Sequence, residues 1–386
     1  MKTRSALAAT FLCFASVACS GAETSDVGPG GSPSGASGAP STPATGSGAD
    51  AAVVGDSGVM ADGGVLADGG IATDGGLAFD GSNDGSSIGQ DAGSIADRIK
   101  AATDTATSSS ACVAIRPFYW EIGDATSKLT GGSVDPAGSG PAYTESTSMN
   151  IASASKWFYS SYWVQKTGGA LSATDIKFMN FWSGYTNFSS CVGSTTVGGC
   201  LAIGQNGVFD PATENQFDYG GGHMQKHADM NGLGALTSAT LADEIRSQIG
   251  TDIALTYSTP QLAGGAVTSA AEYAKLLRKI VAGSLKMKAA LGTHPVCTNA
   301  ATCPDAIHAP TPKGESWHYS IGHWVEDDPT VGDGAFSSPG AFGFYPWIDA
   351  SKTVYGVVAR VDAAGAISSV KCGRLIRKAW LTGHAQ

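Results

Sequence analysis

Met149-Asn150-Ile151-Ala152-Ser153-Ala154-Ser155-Lys156-Trp157 opens a stretch, running on to Lys166, that is crowded with Phe158, Tyr162, Trp163 and Val164 and stopped by Gly168-Gly169. Read as a helix, it places Ser153 and Lys156 one turn apart on a shared face. A serine hydroxyl is a poor nucleophile unless a base lies within hydrogen-bond reach. Lysine serves as that base only when neutral, and burial among aromatics at the positive end of a helix disfavours its charged form. The spacing alone recurs by chance: Ser368-Ser369-Val370-Lys371 shows it too, at a place where helix capping is expected. The plainer alternative for Ser153 and Lys156 is the same, a cap and a surface lysine, so the surrounding sequence has to decide.

Outward from that stretch, the pattern changes period twice. Before it, Cys112 to Gly123 has strand-like aromatic and β-branched content, and Lys128 to Val134 reads as a second strand after a turn. A short helix is expected near Asp97. Residues 150 to 290 are mainly helical in pattern, with acid-bearing starts at Thr240 to Asp243 and Ser269 to Glu272. Tyr273, Leu276, Leu277, Ile280 and Val281 then repeat at helical spacing, marking a core-facing helix. Trp317 to Val325, Ala341 to Ile348 and Thr353 to Val361 read as strands, with Asp349 to Lys352 as a hairpin turn, and a last helix covers about Ser369 to Leu381. The expected fold is α+β: an antiparallel sheet of about five strands, flanked by N- and C-terminal helices and interrupted by a mostly helical insertion.

Around Ser153, Met149 to Trp157 resembles the nucleophile segment of the serine β-lactamase and penicillin-binding-protein superfamily, in particular its class C and esterase branch. Three further stretches follow in that superfamily's order. Phe217-Asp-Tyr-Gly-Gly221 resembles its Tyr-x-Asn motif, which implies that Tyr219 relays a proton to the leaving group. Leu262 to Gly265, continuing through Ser269 to Tyr273, resembles the entry to its last insertion helix. Phe336-Ser-Ser-Pro-Gly-Ala-Phe-Gly343 stands at the place of its Lys-Thr-Gly or His-x-Gly strand. The resemblance covers residues 96 to 386. It implies an oxyanion hole from the backbone N–H groups of Ser153 and Ala341, and substrate contacts at Ser338, Gly340 and Gly221. Two departures stand out: the motif Asn is Gly221, and the basic residue that helps hold a substrate carboxylate is Ser338. A neutral Ser338 suits an uncharged ester or amide.

The rest of the chain bears on where such a domain would work. Residues 20 to 95 lack Lys and Arg, contain one aromatic, Phe79, and are rich in Gly, Ser, Ala, Pro and Asp. Such a composition buries too little apolar surface to offset the entropy of ordering it, and it reads as a tether. Its Asp-Gly-Gly copies at Asp62, Asp68 and Asp74 are too few and too short for a stacked repeat. The net charge of −10 resides almost wholly there: the tether carries −10, Lys2 and Arg4 add +2, and the remainder is −2. No basic face interleaved with aromatics points to nucleic acid. Residues 1 to 19 have the charged start and short apolar run of an export signal. Ser16-Val17-Ala18-Cys19 resembles a bacterial lipoprotein cleavage site, Ser16 standing where Leu is usual. Residues 1–19, 20–95 and 96–386 are thus expected as leader, tether and hydrolase-like domain of an exported protein. It would be periplasmic or held at an outer membrane through a lipid on Cys19, or else secreted after ordinary cleavage.

Six cysteines remain beyond the leader, an even number that in an exported chain reads as disulfides. Cys191 with Cys200 and Cys297 with Cys303 would close short loops, leaving Cys112 and Cys372. Their spacing does not fit a zinc ribbon. His223 and His227, four apart, lack an evident third metal ligand, and no metal or other cofactor is expected. His318 and His323 differ in parity on the expected strand and are given no role. The leading expectation is an acyl-serine hydrolase of an ester or amide. A β-lactamase or D-Ala-D-Ala-type peptidase is the alternative within the same class, and a catalytically idle binding or sensing lipoprotein is the alternative outside it.

Overall fold

The computed structural model describes residues 93–386. The leader, the Cys19 lipidation site and the Asp-Gly-Gly copies lie outside the described residues. The described chain begins with Ile95–Ser108, a helix started by a reciprocal capping box in which Ser94 accepts from Asp97 N–H and Asp97 accepts from Ser94 N–H. It packs along the C-terminal helix Ala366–Thr382, and the pair covers one face of the main sheet. Ala270–Val281, capped by Ser269, covers the other face with Tyr273, Leu276, Leu277, Ile280 and Val281 buried. The helical row read from the sequence is therefore the core-facing row.

The main sheet is antiparallel throughout and has eight strands. From one edge to the other they run Lys128–Val134, Phe118–Asp124, Val354–Ala359, Tyr345–Ile348, Ala335–Ser337, His323–Glu326, His318–Ser320 and Val296–Cys297. The sheet is larger than the five strands expected, for local reasons. Trp317 to Val325 is not one strand but a hairpin, reversing at Ile321 (φ 37°) and Gly322 (φ 76°), where Asn180 Oδ1 accepts from Ile321 N–H at 2.6 Å. A β-branched residue adopts positive φ only under outside constraint, and Asn180 supplies it. His318 and His323 thus sit on two paired strands: His318 bonds Asp327 at 2.8 Å, while His323 is buried and stacks on Trp157. The strand expected from Ala341 begins only at Tyr345, because Gly340 to Phe344 form a turn closed by Gly340 N–H to Phe344 O at 2.7 Å.

Three disulfides join Cys112 to Cys372, Cys191 to Cys200 and Cys297 to Cys303. Cys112 lies in a short helical turn, Ser110–Val113, ahead of the first strand, and Cys372 lies inside the C-terminal helix rather than at its start. Ser368 and Lys371 belong to that helix too: Ser368 Oγ donates to Gly365 O at 3.0 Å, and Lys371 is exposed. The second Ser-x-x-Lys match is an ordinary helix surface, and the residue at its cap is Gly365.

Candidate active site

Ser153 sits in a single turn of tighter helix, Ala152–Ala154, that runs straight into the helix Ser155–Lys166. The latter is buried from Ser155 to Val164, enclosing the hydroxyls of Ser155, Ser160 and Ser161 and the Lys156 amine together with the aromatics. Ala152, just before the serine, holds φ at 45°, a left-handed value that a non-glycine adopts only when its surroundings enforce it. Asn150 Oδ1 accepts from Ala152 N–H at 2.8 Å. Ser155 Oγ donates to Ala152 O at 2.5 Å and accepts from Ala266 N–H at 3.1 Å. One residue on, Tyr273 OH donates to Ala154 O at 2.9 Å. The sharp entry is thereby clamped from both ends of the insertion, and Ser153 projects from it.

Lys156 Nζ lies 2.9 Å from Ser153 Oγ and 3.0 Å from Ala263 O. The Ala263 carbonyl takes one N–H of the amine, leaving a lone pair for the serine proton. Burial lowers the Lys156 pKa to about 7, and desolvation is the whole cause. Ser153 and Lys156 therefore have both the contact and the electrostatics of a nucleophile and its base.

Tyr219 reaches the same place from a different element. The segment Phe217–Asp218 pairs in parallel with Ala306–His308, and Tyr219 N–H donates to His308 O at 3.0 Å. The Tyr219 ring stacks on Trp324 with centroids 5.1 Å apart, and Lys156 Nζ lies 4.6 Å from the ring centre. Burial pushes the phenol pKa up to about 12, with the Ser153 and Trp324 side chains pulling the other way. A cavity of about 200 Å³ opens between Ser153, Tyr219 and Ala341. The rest of its lining is Trp317, Trp324, Pro310, Pro339, Ala366, Ile367 and His308. Among those lining residues there is no lysine, arginine or carboxylate. The Ser153 N–H, at the start of a helical segment, has no partner within that segment.

Three residues expected at the substrate lie elsewhere. Ser338 is 2% exposed, and its Oγ donates to Ser153 O at 3.2 Å, so it braces the backbone of the nucleophile. Gly340 presses on the same turn from below: a Cβ there would meet Ile151 O at 2.1 Å. At Gly221 a Cβ would meet the Phe188 ring at 2.9 Å, so Phe188 fills the room a motif asparagine would need. None of the three lines the cavity.

The histidine pair is structural. His223 bonds Ser183 Oγ at 2.7 Å and Asp218 O at 3.0 Å, and burial drops its pKa to about 3. His227 lies between Tyr159 OH at 2.6 Å and Asp175 Oδ1 at 2.8 Å. Among the described residues no three His, Cys, Asp or Glu side chains converge as metal ligands would. His308 carries no motif, and sequence reasoning passed over it. Its one sequence-level signal is that it follows the Cys297 to Cys303 loop in an otherwise plain connection. The Ala263 carbonyl was signalled only by the Leu262 to Gly265 stretch.

No family model matches the chain, and no curated protein matches it at a significant level. Solved structures do. A candidate beta-lactamase from Bacteroides dorei DSM 17855 superposes with a TM-score of 0.51 at 20% identity, covering 68% of this chain and 93% of that one. The chain has the beta-lactamase/transpeptidase fold. FmtA from Staphylococcus aureus matches with a TM-score of 0.50 at 14% identity, over 74% of this chain and 87% of its own. Simvastatin synthase (LovD) from Aspergillus terreus matches with a TM-score of 0.50 at 12% identity, over 75% and 98%. In this beta-lactamase-type fold the turn Ala152–Ala154 that bears Ser153 and the loop after the strand Ala335–Ser337, through Pro339 and Ala341, both reach the cavity.

Proposed function

We propose that the protein is a serine hydrolase that acts through an acyl-Ser153 intermediate on a neutral ester or amide. The observation that carries this reading is the contact of Ser153 Oγ with a lysine amine whose charged form burial disfavours, its pKa lowered to about 7. In the acylation step Ser153 Oγ attacks the carbonyl carbon and its proton passes to Lys156 Nζ. The oxygen that becomes negative is received by the N–H groups of Ser153 and Ala341. Tyr219 hands a proton to the leaving alcohol or amine as the bond to the carbonyl carbon breaks, and Lys156 restores the phenol proton. Water then attacks the acyl carbon, giving up its proton to Lys156, and Ser153 Oγ departs with a proton to close the cycle.

The choice of a neutral substrate is supported by the lining. A carboxylate entering a cavity walled by Trp317, Trp324, Pro310 and Ile367 would lose its hydration with no cation among the lining residues to replace it. With the leader and tether read from the sequence, the enzyme would work outside the cytoplasm, on a stalk.

The test is intact-mass analysis of the protein and of Ser153→Ala after incubation with a fluorophosphonate and with a labelled penicillin. The expected result is one adduct, with the fluorophosphonate, lost in Ser153→Ala. A stable, Ser153-dependent penicillin adduct would replace this reading with the β-lactam or peptidase one. Absence of any Ser153-dependent adduct would leave a binding protein.

A further inference from the structure

The cavity wall holds one polar side chain that the acyl-transfer steps leave unused, His308. It stands at the mouth, with 62% of its side chain exposed. It is nonetheless well placed, because its strand is registered against that of Tyr219 through Phe217 to Ala306 and Asp218 to His308 pairing. The bond from Tyr219 N–H to His308 O ties the two residues at the backbone. A group that contacts Tyr219 as it leaves therefore passes His308 next.

Asp218 gives that imidazole a direction. Its Oδ1 lies 3.7 Å from His308 Nδ1, and only 22% of its side chain is exposed. The approach is longer than a hydrogen bond, and the carboxylate biases the ring toward the tautomer that keeps the proton on Nδ1 and a lone pair on Nε2. The remaining lining offers no competing acceptor side chain apart from Ser153 and Tyr219, which are engaged in the chemistry. We propose that His308, oriented by Asp218, is a specificity residue that accepts a hydrogen bond from a hydroxyl or amino group on the leaving portion of the substrate. The preferred substrates are then esters or amides of a polyol, amino alcohol or similar donor-bearing unit. An unadorned hydrocarbon alcohol, or one bearing a carboxylate that Asp218 repels, is disfavoured. A site built around an acceptor rejects the analogue that lacks the donor. Asp218 acts through His308 and is a positioning residue.

This inference rests on the acyl-Ser153 reading, and the experiment separates the two. The full chain is assayed on 3-(hydroxymethyl)phenyl and 3-methylphenyl butanoates, which share an acyl group and differ by one hydroxyl, and Ser153 competence is followed in parallel as the rate of fluorophosphonate labelling. The wild-type protein is expected to favour the hydroxymethyl ester about tenfold in kcat/KM, the size of one partly exposed hydrogen bond. His308→Ala should erase the preference, His308→Gln, whose amide oxygen also accepts, should restore part of it, and Asp218→Asn should weaken it. Labelling should stay within about twofold in all three, showing that they fold and that Ser153 is intact. Equal rates on the two esters in the wild type, or a preference that survives His308→Ala, would overturn the assignment of His308 while leaving the hydrolase standing. Failure of the wild-type Ser153 to label would remove the hydrolase reading itself.

Discussion

As the proposed base, Lys156 depends on a fold that withholds water from it, and that ties activity to stability. The unfolded chain holds the lysine proton up to its usual value of 10.5, whereas the folded protein releases it at about 7. Between those values the unfolded state binds the additional proton, so the lysine weakens the fold most at and below neutral pH, and the penalty fades as pH rises toward 10.5. Two outcomes follow. The rate of acylation should climb through an apparent pKa near 7 as Lys156 loses its charge, read from kcat/KM against pH. Lys156→Met should abolish ester cleavage yet raise the melting temperature at pH 7, equivalent to roughly 1–2 kcal/mol, with the advantage shrinking as the pH is raised. A Met variant less stable than the wild type at pH 7 would show that the lysine is better accommodated than its burial implies. The pairing of Ser153 with Lys156 was legible because helical spacing brings the two residues onto one face and the motifs around Tyr219 and Ser338 follow in order behind them. The polarity of His308 was not, since nothing local in Asp305 to Pro310 says that a parallel pairing with Phe217 and Asp218 will carry it to the cavity.

The turn that bears Ser153 is held by two unrelated segments, and the one through Gly340 is sensitive to a single methyl. Gly340 approaches Ile151 O so closely that a Cβ would sit 2.1 Å from it. Gly340→Ala should displace Ala341 from the cavity wall and press on the left-handed Ala152. The expected effects are a loss of about 1–3 kcal/mol of stability and a fall in kcat on the order of 100-fold, the penalty of a small misplacement at the reacting centre. Thermal melts and single-turnover kinetics check both, and unchanged values would mean that the turn yields freely. At this level the sequence spoke through composition and period: the strands from Phe118 and Val354 carry aromatic and β-branched runs, and the helix from Ala270 carries a helical row. It was silent where tertiary contacts impose the geometry. Ile321 reverses the chain because Asn180 holds its N–H. Ser338 reads as a substrate contact by its position in a motif, but its hydroxyl is taken by the Ser153 carbonyl.

The short helical turn that follows the first helix is joined to the C-terminal helix by a bond between residues 260 apart in the chain. Opening it in a Cys112→Ala, Cys372→Ala double variant should lower stability by about 2–5 kcal/mol, measured by denaturant unfolding, while leaving the cavity residues in place. Ser153 labelling lost under native conditions would instead make the bridge part of the site. The overall α+β arrangement was legible because strands at both ends of the domain with helices between them admit few ways of burying their apolar faces. The extra strands were not, being two to four residues long and set by their neighbours.

The same bridge has a mechanical meaning. A pull applied through the segment ahead of Ser94 runs down Ile95–Ser108, reaches Cys112 and passes across the sulfurs into the C-terminal helix before it can load the first strand at Phe118. Stretched by its two ends, the domain would pay out only the first helix and the part of the C-terminal helix beyond Cys372, and the sheet, the Ser153 turn and the cavity would stay slack. In the proposed tethered arrangement, drag on the tether would then bypass the sheet and the Ser153 turn.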